Sequence, residues 1–353
     1  MDAYTGTVGR RRDHGDEILI NDPYLTDFCK ITQSKAYRRL AHKTQVICAP
    51  DNPHVRTRLL HTDEVVALSV GIADKLGLDI PMCMAIAAGH DIGHTPYGHL
   101  GERVLSERAG KPFKHYVNSV VVAQHIERKG AGLNLTKETL EGMLNHSRGV
   151  DALTVDPSSI QEHSVVMFAD KISYTFSDMN DAVRYGYLCK EKIPYEANRL
   201  GWNQRVRILN VVTALAEESR RKGFVDFSDS DEFHHFDSLK KFMYENVYFK
   251  MDDSIQNQIL HRIVDFFEKS NDFSDLDPIL LTSLLTDREA NHFGELMLHS
   301  RKPALCDIRH FGIFEIVDFI REKEIDLTDP DLDWEPAEGT AVQEPDFGPI
   351  HSW

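Results

Sequence analysis

An all-α fold follows from three features of this 353-residue chain. Apolar residues recur at helical spacing from Asp27 to about Lys323, β-type alternation is scarce, and the interruptions carry glycine or proline where helices end.

The elements follow in order. Residues 1–23 read as an extended, polar N-terminal arm. A first clear apolar stripe is Val65, Val66, Leu68, Ile72, Ala73 and Leu76, preceded by a break at Pro53 and ended by Gly77-Leu78-Asp79-Ile80-Pro81. Met82 to Ala88 is apolar all round and predicts a buried helix. Breaks follow at Gly110-Lys111-Pro112 and over Gly130 to Leu135, after which Thr136 is a natural N-cap for the helix of Lys137, Glu138 and Thr139. Leu260, Ile263, Val264 and Phe267 mark a late amphipathic helix. Past Leu327 come four prolines, many acids and little periodicity, which predict a loose tail. The organisation expected is an arm (1–23), a helical domain with a C-terminal helical extension (24–323) and an acidic tail (324–353), without internal repeats.

Composition narrows the function. The net charge is −16, and residues 324–353 hold nine acids and no Lys or Arg. Such a chain does not present a generally basic nucleic-acid surface, and a site for a polyanion would need its own cations or a metal. Five scattered cysteines (Cys29, Cys48, Cys83, Cys189, Cys306) form no CxxC pair, which argues against a zinc ribbon or disulfide framework. With no apolar run of bilayer length and no signal-like N-terminus, the expected location is a reducing cytoplasm.

The chemistry concentrates in Gly89-His90-Asp91-Ile92-Gly93-His94-Thr95-Pro96-Tyr97-Gly98-His99, at the end of the buried Met82–Ala88 helix. Polar groups placed there need partners, and a metal is one that an imidazole and a carboxylate suit together. Two further residues stand in the same predicament. His61 opens a helix in Arg58-Leu59-Leu60-His61, and Asp170 interrupts the apolar stretch Val166-Met167-Phe168-Ala169. Each alone would be an ordinary hydrogen-bonded core residue. Together, in the order H…HD…D, they form a candidate metal set.

With these residues in view the chain resembles the dGTP triphosphohydrolase branch of the HD superfamily. The resemblance covers about residues 24–292. It runs through Ser34 to Leu40, Lys43-Thr44-Gln45-Val46, Arg58 to Val65, His90 to Glu102, Phe113-Lys114-His115 with Ser119, Gly132 to Thr136, Asn145-His146-Ser147, and Ala169 to Tyr174 with Asp178, with a weaker echo at Thr286-Asp287-Arg288. The string HDxGHxPxGHxGE is its most specific part. Three positions depart from the usual pattern: Tyr116 follows the histidine of the FxH motif, Asn118 stands where Gln is common, and Gly89 precedes His90 where a larger residue is usual.

The resemblance implies an all-α HD-domain fold and an enzyme that cleaves dNTP, with dGTP a candidate preferred substrate, to deoxynucleoside and inorganic triphosphate by water attack at the α-phosphate. One divalent ion, Mn²⁺ or Mg²⁺ foremost and Fe²⁺, Co²⁺ or Ni²⁺ as alternatives, would be held by His61, His90, Asp91 and Asp170. Arg58, His94 and Lys171 would contact phosphates. His115, His99 and Glu102 would lie beside the α-phosphate, with acid and base interchangeable between the two histidines. Gln45 and Asp178 would recognise the 3′-hydroxyl, and Tyr174 would crowd out a 2′-hydroxyl. A homo-oligomer, dimer or hexamer, and a nucleotide or single-stranded-DNA effector are also implied.

Plainer roles stand beside these. Glu102 could be an exposed helix acid, Arg58 and Lys171 structural ion-pair partners, Tyr174 a core residue, and Asp178 or Asp181 part of a solvated face. His125, His146 and His163 are assigned to structure, and Asp231 to His235 to the start of a helix rather than to a metal. An HD-type 5′-nucleotidase or phosphodiesterase would need the metal set but not Gln45, Tyr174 or the His94/His99/Glu102 group. A non-catalytic nucleotide- or single-stranded-DNA-binding module would not need an intact metal set.

Overall fold

The computed structural model describes residues 3–6, 9–12, 20–47, 52–147, 153, 155–250, 253–298, 308–321 and 323–337. Among them the chain is helical, and its β content is two isolated bridges, Arg10 to Thr136 and Thr44 to Thr57. The expected all-α class is therefore the observed one. None of the described helices is long and apolar enough to cross a membrane.

Helices α1 (Pro23–Thr32), α2 (Lys35–Arg39), α3 (Arg58–Leu76), α4 (Ile80–Gly89), α5 (His99–Ala109), α6 (His115–Val121), α7 (Lys137–Asn145) and α8 (Gln161–Tyr185) make up the part that bears the candidate residues. Local sequence starts and stops them as expected. Thr57, Asp79 and Thr136 accept backbone N–H groups as N-caps of α3, α4 and α7, and Gly77 closes α3 at φ +70°. The 25-residue α8 buries almost every side chain from Glu162 to Met179. It packs on α3 and α4, and α4 lies between α1, α3 and α8. That placement explains why Met82 to Ala88 carries no polar face.

Helices α9 (Tyr195–Leu200), α10 (Gln204–Lys222) and α11 (Asp231–Asn246) complete one apolar core with α3, α4 and α8. A second core joins α5 and α6 to α12 (Ser254–Lys269), α13 (Pro278–Ser283), α14 (Asp287–Leu298) and α15 (Val317–Ile320). Helix α4 and the turn after it feed both: Met82, Cys83, Ile86 and Ala87 enter the first, Ala88 and, past the helix end, Ile92 the second. The His90-Asp91 pair thus sits at the seam of two cores.

Asp231 and Glu232 lie in the first turn of α11 behind the Ser230 cap, where they complement the helix dipole, as their sequence context suggested. The tail departs from expectation. Over 324–337 it lies on the body: Leu327 is buried, Trp334 Nε1 donates to Gln124 Oε1 at 3.2 Å, and Ala337 N donates to Arg10 O at 3.0 Å. Its few large apolar residues, Ile325, Leu327, Leu332 and Trp334, find the second core, and composition averaged over the segment hid them. Residues 338–353 lie outside the described part.

Asp287 ties the late helices to the centre. Its buried carboxylate accepts Thr44 N at 2.9 Å and Tyr97 N at 2.9 Å. Tyr97 is held at φ +58°, a conformation unfavourable for a side chain of this size. Replacing Asp287 with Ala leaves both amides unpaired, so equilibrium urea denaturation is expected to show a loss of about 2–3 kcal/mol. An unchanged midpoint would contradict this role.

Candidate active site

Three helix ends and one helix middle supply the centre: His61 from the first turn of α3, His90 and Asp91 from the end of α4, Asp170 from the middle of α8, and His115 from the start of α6. The loop between α4 and α5 is fixed by small residues. A Cβ on Gly93 would meet Ser119 N at 2.1 Å, and one on Gly101 would meet Pro96 O at 2.3 Å. Ser119 Oγ donates to His90 O at 2.8 Å and accepts Gly93 N at 3.0 Å, while Asn118 Nδ2 donates to Gly93 O at 2.7 Å. The unusual Asn118 therefore clamps this loop. At the unusual Gly89, Met143 Sδ stands 2.6 Å from where a Cβ would be, so the methionine fills that space.

His61, His90 and Asp170 bring ligand atoms within 4.8 Å of one another, all buried, and Asp91 joins through His90 in a second such group that also includes His146. His61 Nε2 lies 3.1 Å from Asp170 Oδ1, and Lys171 Nζ donates to Asp170 Oδ2 at 3.0 Å. Burial opposes the charge on Asp170, but Lys171 and His61 outweigh it and hold the carboxyl well below its ordinary range. Asp91 is buried likewise, and Arg58, whose Nη1 donates to Asp91 Oδ2 at 2.5 Å, holds it down.

The donor chemistry fits a cation. His90 Nδ1 faces Ala87 O at 2.6 Å, and a carbonyl only accepts, so Nδ1 carries the proton and Nε2 presents a lone pair. That Nε2 is buried without a hydrogen-bond partner. Two imidazole nitrogens beside two ionised carboxylates suit a divalent transition ion.

The second half of the centre is organised by Glu102. Its Oε1 accepts His115 Nδ1 at 2.7 Å and His115 N at 2.6 Å, and its Oε2 faces His99 Nδ1 at 3.1 Å. Burial works against ionising Glu102, but His115 and His99 prevail and keep it charged. It is an orienting acid, not a solvated helix residue. His94 stacks on His115 with centroids 4.4 Å apart, and both of its ring nitrogens are buried without partners. Burial, then Arg58 and His115, push His94 well below its usual value, so it is neutral. Lys43 Nζ donates to the His94 carbonyl oxygen, which fixes that loop from behind.

Arg58 is more committed than a phosphate ligand need be, since Nε and Nη2 also donate to the carbonyls of Thr44 and Gln45 at 3.1 and 3.0 Å. The structural ion-pair reading of Arg58 and Lys171 describes their present contacts. Asp178 and Asp181 are both buried rather than solvated, and Asp181 pairs with Arg56 at 3.0 Å. Gln45 and Asp178 line one small void with Val247, and Gln45 Oε1 is buried without a partner. Tyr174 lies beside them, its hydroxyl 3.4 Å from that of Tyr244, its ring 5.2 Å from Lys171 Nζ. The sequence reading anticipated the helix α11 but not that it and the turn after it reach this part of the site. Tyr248 Oη donates to Asp178 Oδ2 at 3.0 Å, and Lys240 is buried near Lys171. No local signal marked either residue. His146 was assigned to structure, yet its ring lies 4.9 Å from that of His90. His125 and His163 do have structural contacts, to Asp331 and to Glu138 O.

A larger cavity of about 1310 Å³ lies elsewhere, among Lys35, Arg38, Arg56, Arg288 and His310, and none of the candidate metal or catalytic residues lines it.

These features define an HD-domain protein, and residues 58–175 match the HD domain family model, a span that begins at Arg58 and closes just past Asp170. Relatives match over most of the chain. A deoxyguanosinetriphosphate triphosphohydrolase-like protein of Clostridium tetani is 36% identical over 71% of this chain and 75% of its own length. Proteins of the same description from Caldanaerobacter subterraneus and Clostridium perfringens are 37% and 41% identical, over 73% and 69% of this chain and 76% and 71% of theirs. The chain belongs to the deoxyguanosinetriphosphate triphosphohydrolase-like family of HD-domain proteins.

Burial, opposed by His61 and Tyr248, raises Asp178 to about 7. A carboxyl that keeps its proton in the folded state and loses it near pH 4 when unfolded makes the folded state bind more protons, so stability falls as pH rises from about 4 to about 7. Thermal melts at pH 5, 6, 7 and 8 are expected to show Asp178→Asn losing that part of the slope. A variant as pH-dependent as the parent would exclude Asp178 as its source.

Proposed function

We propose that this protein hydrolyses deoxynucleoside triphosphates to deoxynucleoside and inorganic triphosphate. The observation that carries the reading is Glu102 orienting both His99 and His115, with His115 Nε2 only 3.8 Å from Asp91 Oδ1 at the metal-suited cluster. The family relatives named as deoxyguanosinetriphosphate triphosphohydrolase-like support the substrate class.

The reaction breaks the bond between the α-phosphorus and O5′. A divalent cation held by His61, His90, Asp91 and Asp170, Mn²⁺ or Mg²⁺ foremost, would supply Lewis-acid polarisation and charge neutralisation. The protein's own groups do the rest. Lys171 and His94 face the polyphosphate, with Arg58 beside them positioning Asp91. The leaving 5′-oxygen is too basic to depart without a proton, and an imidazole held by Glu102 delivers one near neutral pH. The other imidazole of the pair takes a proton from the attacking water. Gln45, with its unpartnered Oε1, and Asp178 line one void and suit a 3′-hydroxyl, and the bulk of Tyr174 would crowd a 2′-hydroxyl.

Incubation with each dNTP and NTP plus Mn²⁺, resolved by anion exchange, is expected to yield deoxynucleoside and triphosphate, with dNTP preferred over NTP. Release of phosphate or pyrophosphate instead would refute the reaction, and equal kcat/KM for GTP and dGTP would refute the sugar assignment. His115→Ala and His99→Ala are each expected to lose turnover by roughly 10²-fold or more. Asp170→Ala should lose bound metal along with turnover, which metal analysis of the purified variant would check.

A further inference from the structure

We propose that Ser173 and Glu64 are positioning residues for the cation-suited centre: they hold His61 in the tautomer whose Nε2 is free to bind a metal. The inference rests on the reading of His61, His90, Asp91 and Asp170 as a cation set. Neither Ser173 nor Glu64 belongs to that set, and neither takes part in the hydrolytic steps.

Helices α3 and α8 pack together, and each carries two of the residues concerned one turn apart: His61 with Glu64, and Asp170 with Ser173. The His61 ring meets both residues of α8. Its Nε2 is 3.1 Å from Asp170 Oδ1, and its Nδ1 is 3.4 Å from Ser173 Oγ. The same hydroxyl is 3.4 Å from Glu64 Oε2. Glu64 Oε1 accepts Arg56 Nε at 2.8 Å. Arg56 is fixed in turn by Asp181, which accepts its Nη1 at 3.0 Å and its backbone N at 3.1 Å. Ser173 is buried, so its hydroxyl proton goes to one of these two neighbours.

A hydroxyl has one proton and can also accept. Given to Nδ1, that proton forces the ring proton onto Nε2, where it faces Asp170 and closes the nitrogen to a metal. Given to Glu64, it leaves the Ser173 oxygen to accept, so Nδ1 carries the ring proton and Nε2 presents its lone pair. A carboxylate is the stronger acceptor, and Arg56 holds Oε1 so that Oε2 is the oxygen facing Ser173. Glu64 therefore favours the arrangement that a metal requires. The two histidines of the set are fixed differently. His90 Nδ1 is held by the Ala87 carbonyl, a backbone atom. His61 depends on a relay of side chains, which substitution can break.

The test uses full-length protein stripped of metal and titrated with Mn²⁺ in a calorimeter, with the melting temperature of the metal-free protein measured beside it. Ser173→Ala removes the hydroxyl. Glu64→Gln keeps the shape but gives Arg56 its one oxygen and turns an amide N–H toward Ser173, which reverses the relay. Each is expected to weaken Mn²⁺ binding by about 10-fold or more, the scale for partners behind a metal ligand, with the metal-free melting temperature unchanged. Ser173→Thr, which keeps the hydroxyl, should bind Mn²⁺ as the parent does. Because both residues act through one proton, the double variant should lose no more than the larger single loss. Parent-like affinity in Glu64→Gln would overturn the proposal, and so would a fall in metal-free melting temperature without a change in affinity. Additive losses in the double variant would also overturn it, since Glu64 would then act by charge alone. The Glu64 side chain is 36% exposed, so Glu64→Gln carries the test if Ser173→Ala fails to fold. A parent that binds no Mn²⁺ would overturn the cation reading itself, whereas a parent that binds and a Glu64→Gln variant that binds equally would overturn this inference alone.

Discussion

The structure depends on keeping two ionised carboxylates, Asp91 and Asp170, out of water. Burying a bare carboxylate is prohibitive, so each is matched by a cation: Arg58 on Asp91 Oδ2 and Lys171 on Asp170 Oδ2. Removing one partner of such a buried pair costs about 3–5 kcal/mol, because the other is left uncompensated. That constraint explains why Arg58 is anchored by two backbone carbonyls as well. It also fits the apolar character of α4 and the near-complete burial of α8 from Glu162 to Met179, the helices that deliver the acids.

The acids can be held only if the surrounding backbone is rigid, and most of the remaining polar architecture serves that end. Asp287, from a helix remote in sequence, fixes the segment carrying Gln45 and the loop carrying His94. Lys43, pulled down to about 7 chiefly by burial, reaches the His94 carbonyl from the same side. Asn118 and Ser119 lock the loop after Asp91, which allows α6 to present His115 against it. The contact of α6 with Gly93 is so close that a side chain there would displace the helix. The geometry of the candidate site thus follows from backbone satisfaction and close packing.

Much of this was legible in the chain. The HDxGHxPxGHxGE string, the apolar setting of Asp170 and the helical opening at Arg58 to His61 marked the residues that converge, because each placed polar chemistry inside an apolar pattern. Other residues left no such mark. His146 ends an unremarkable helix, and Tyr248 and Lys240 lie some 70 residues from Asp178 and Lys171 in a separate helical segment. The tail was read from average composition, yet four apolar side chains among its acids, Ile325, Leu327, Leu332 and Trp334, pack residues 324–337 on the body.

The sequence by itself determined the helical class, the breaks between helices, and the kinds of group gathered at the centre, since these follow from local periodicity, capping and the cost of burying unpartnered polar atoms. The tertiary structure decided which nitrogen of each histidine faces inward, which oxygen of Asp91 meets which ring, and that one glutamate serves two imidazoles. Those choices depend on hydrogen bonds to backbone carbonyls and on helix packing across two cores. They are set by atoms distant in sequence, at distances of a few ångströms that no spacing along the chain encodes.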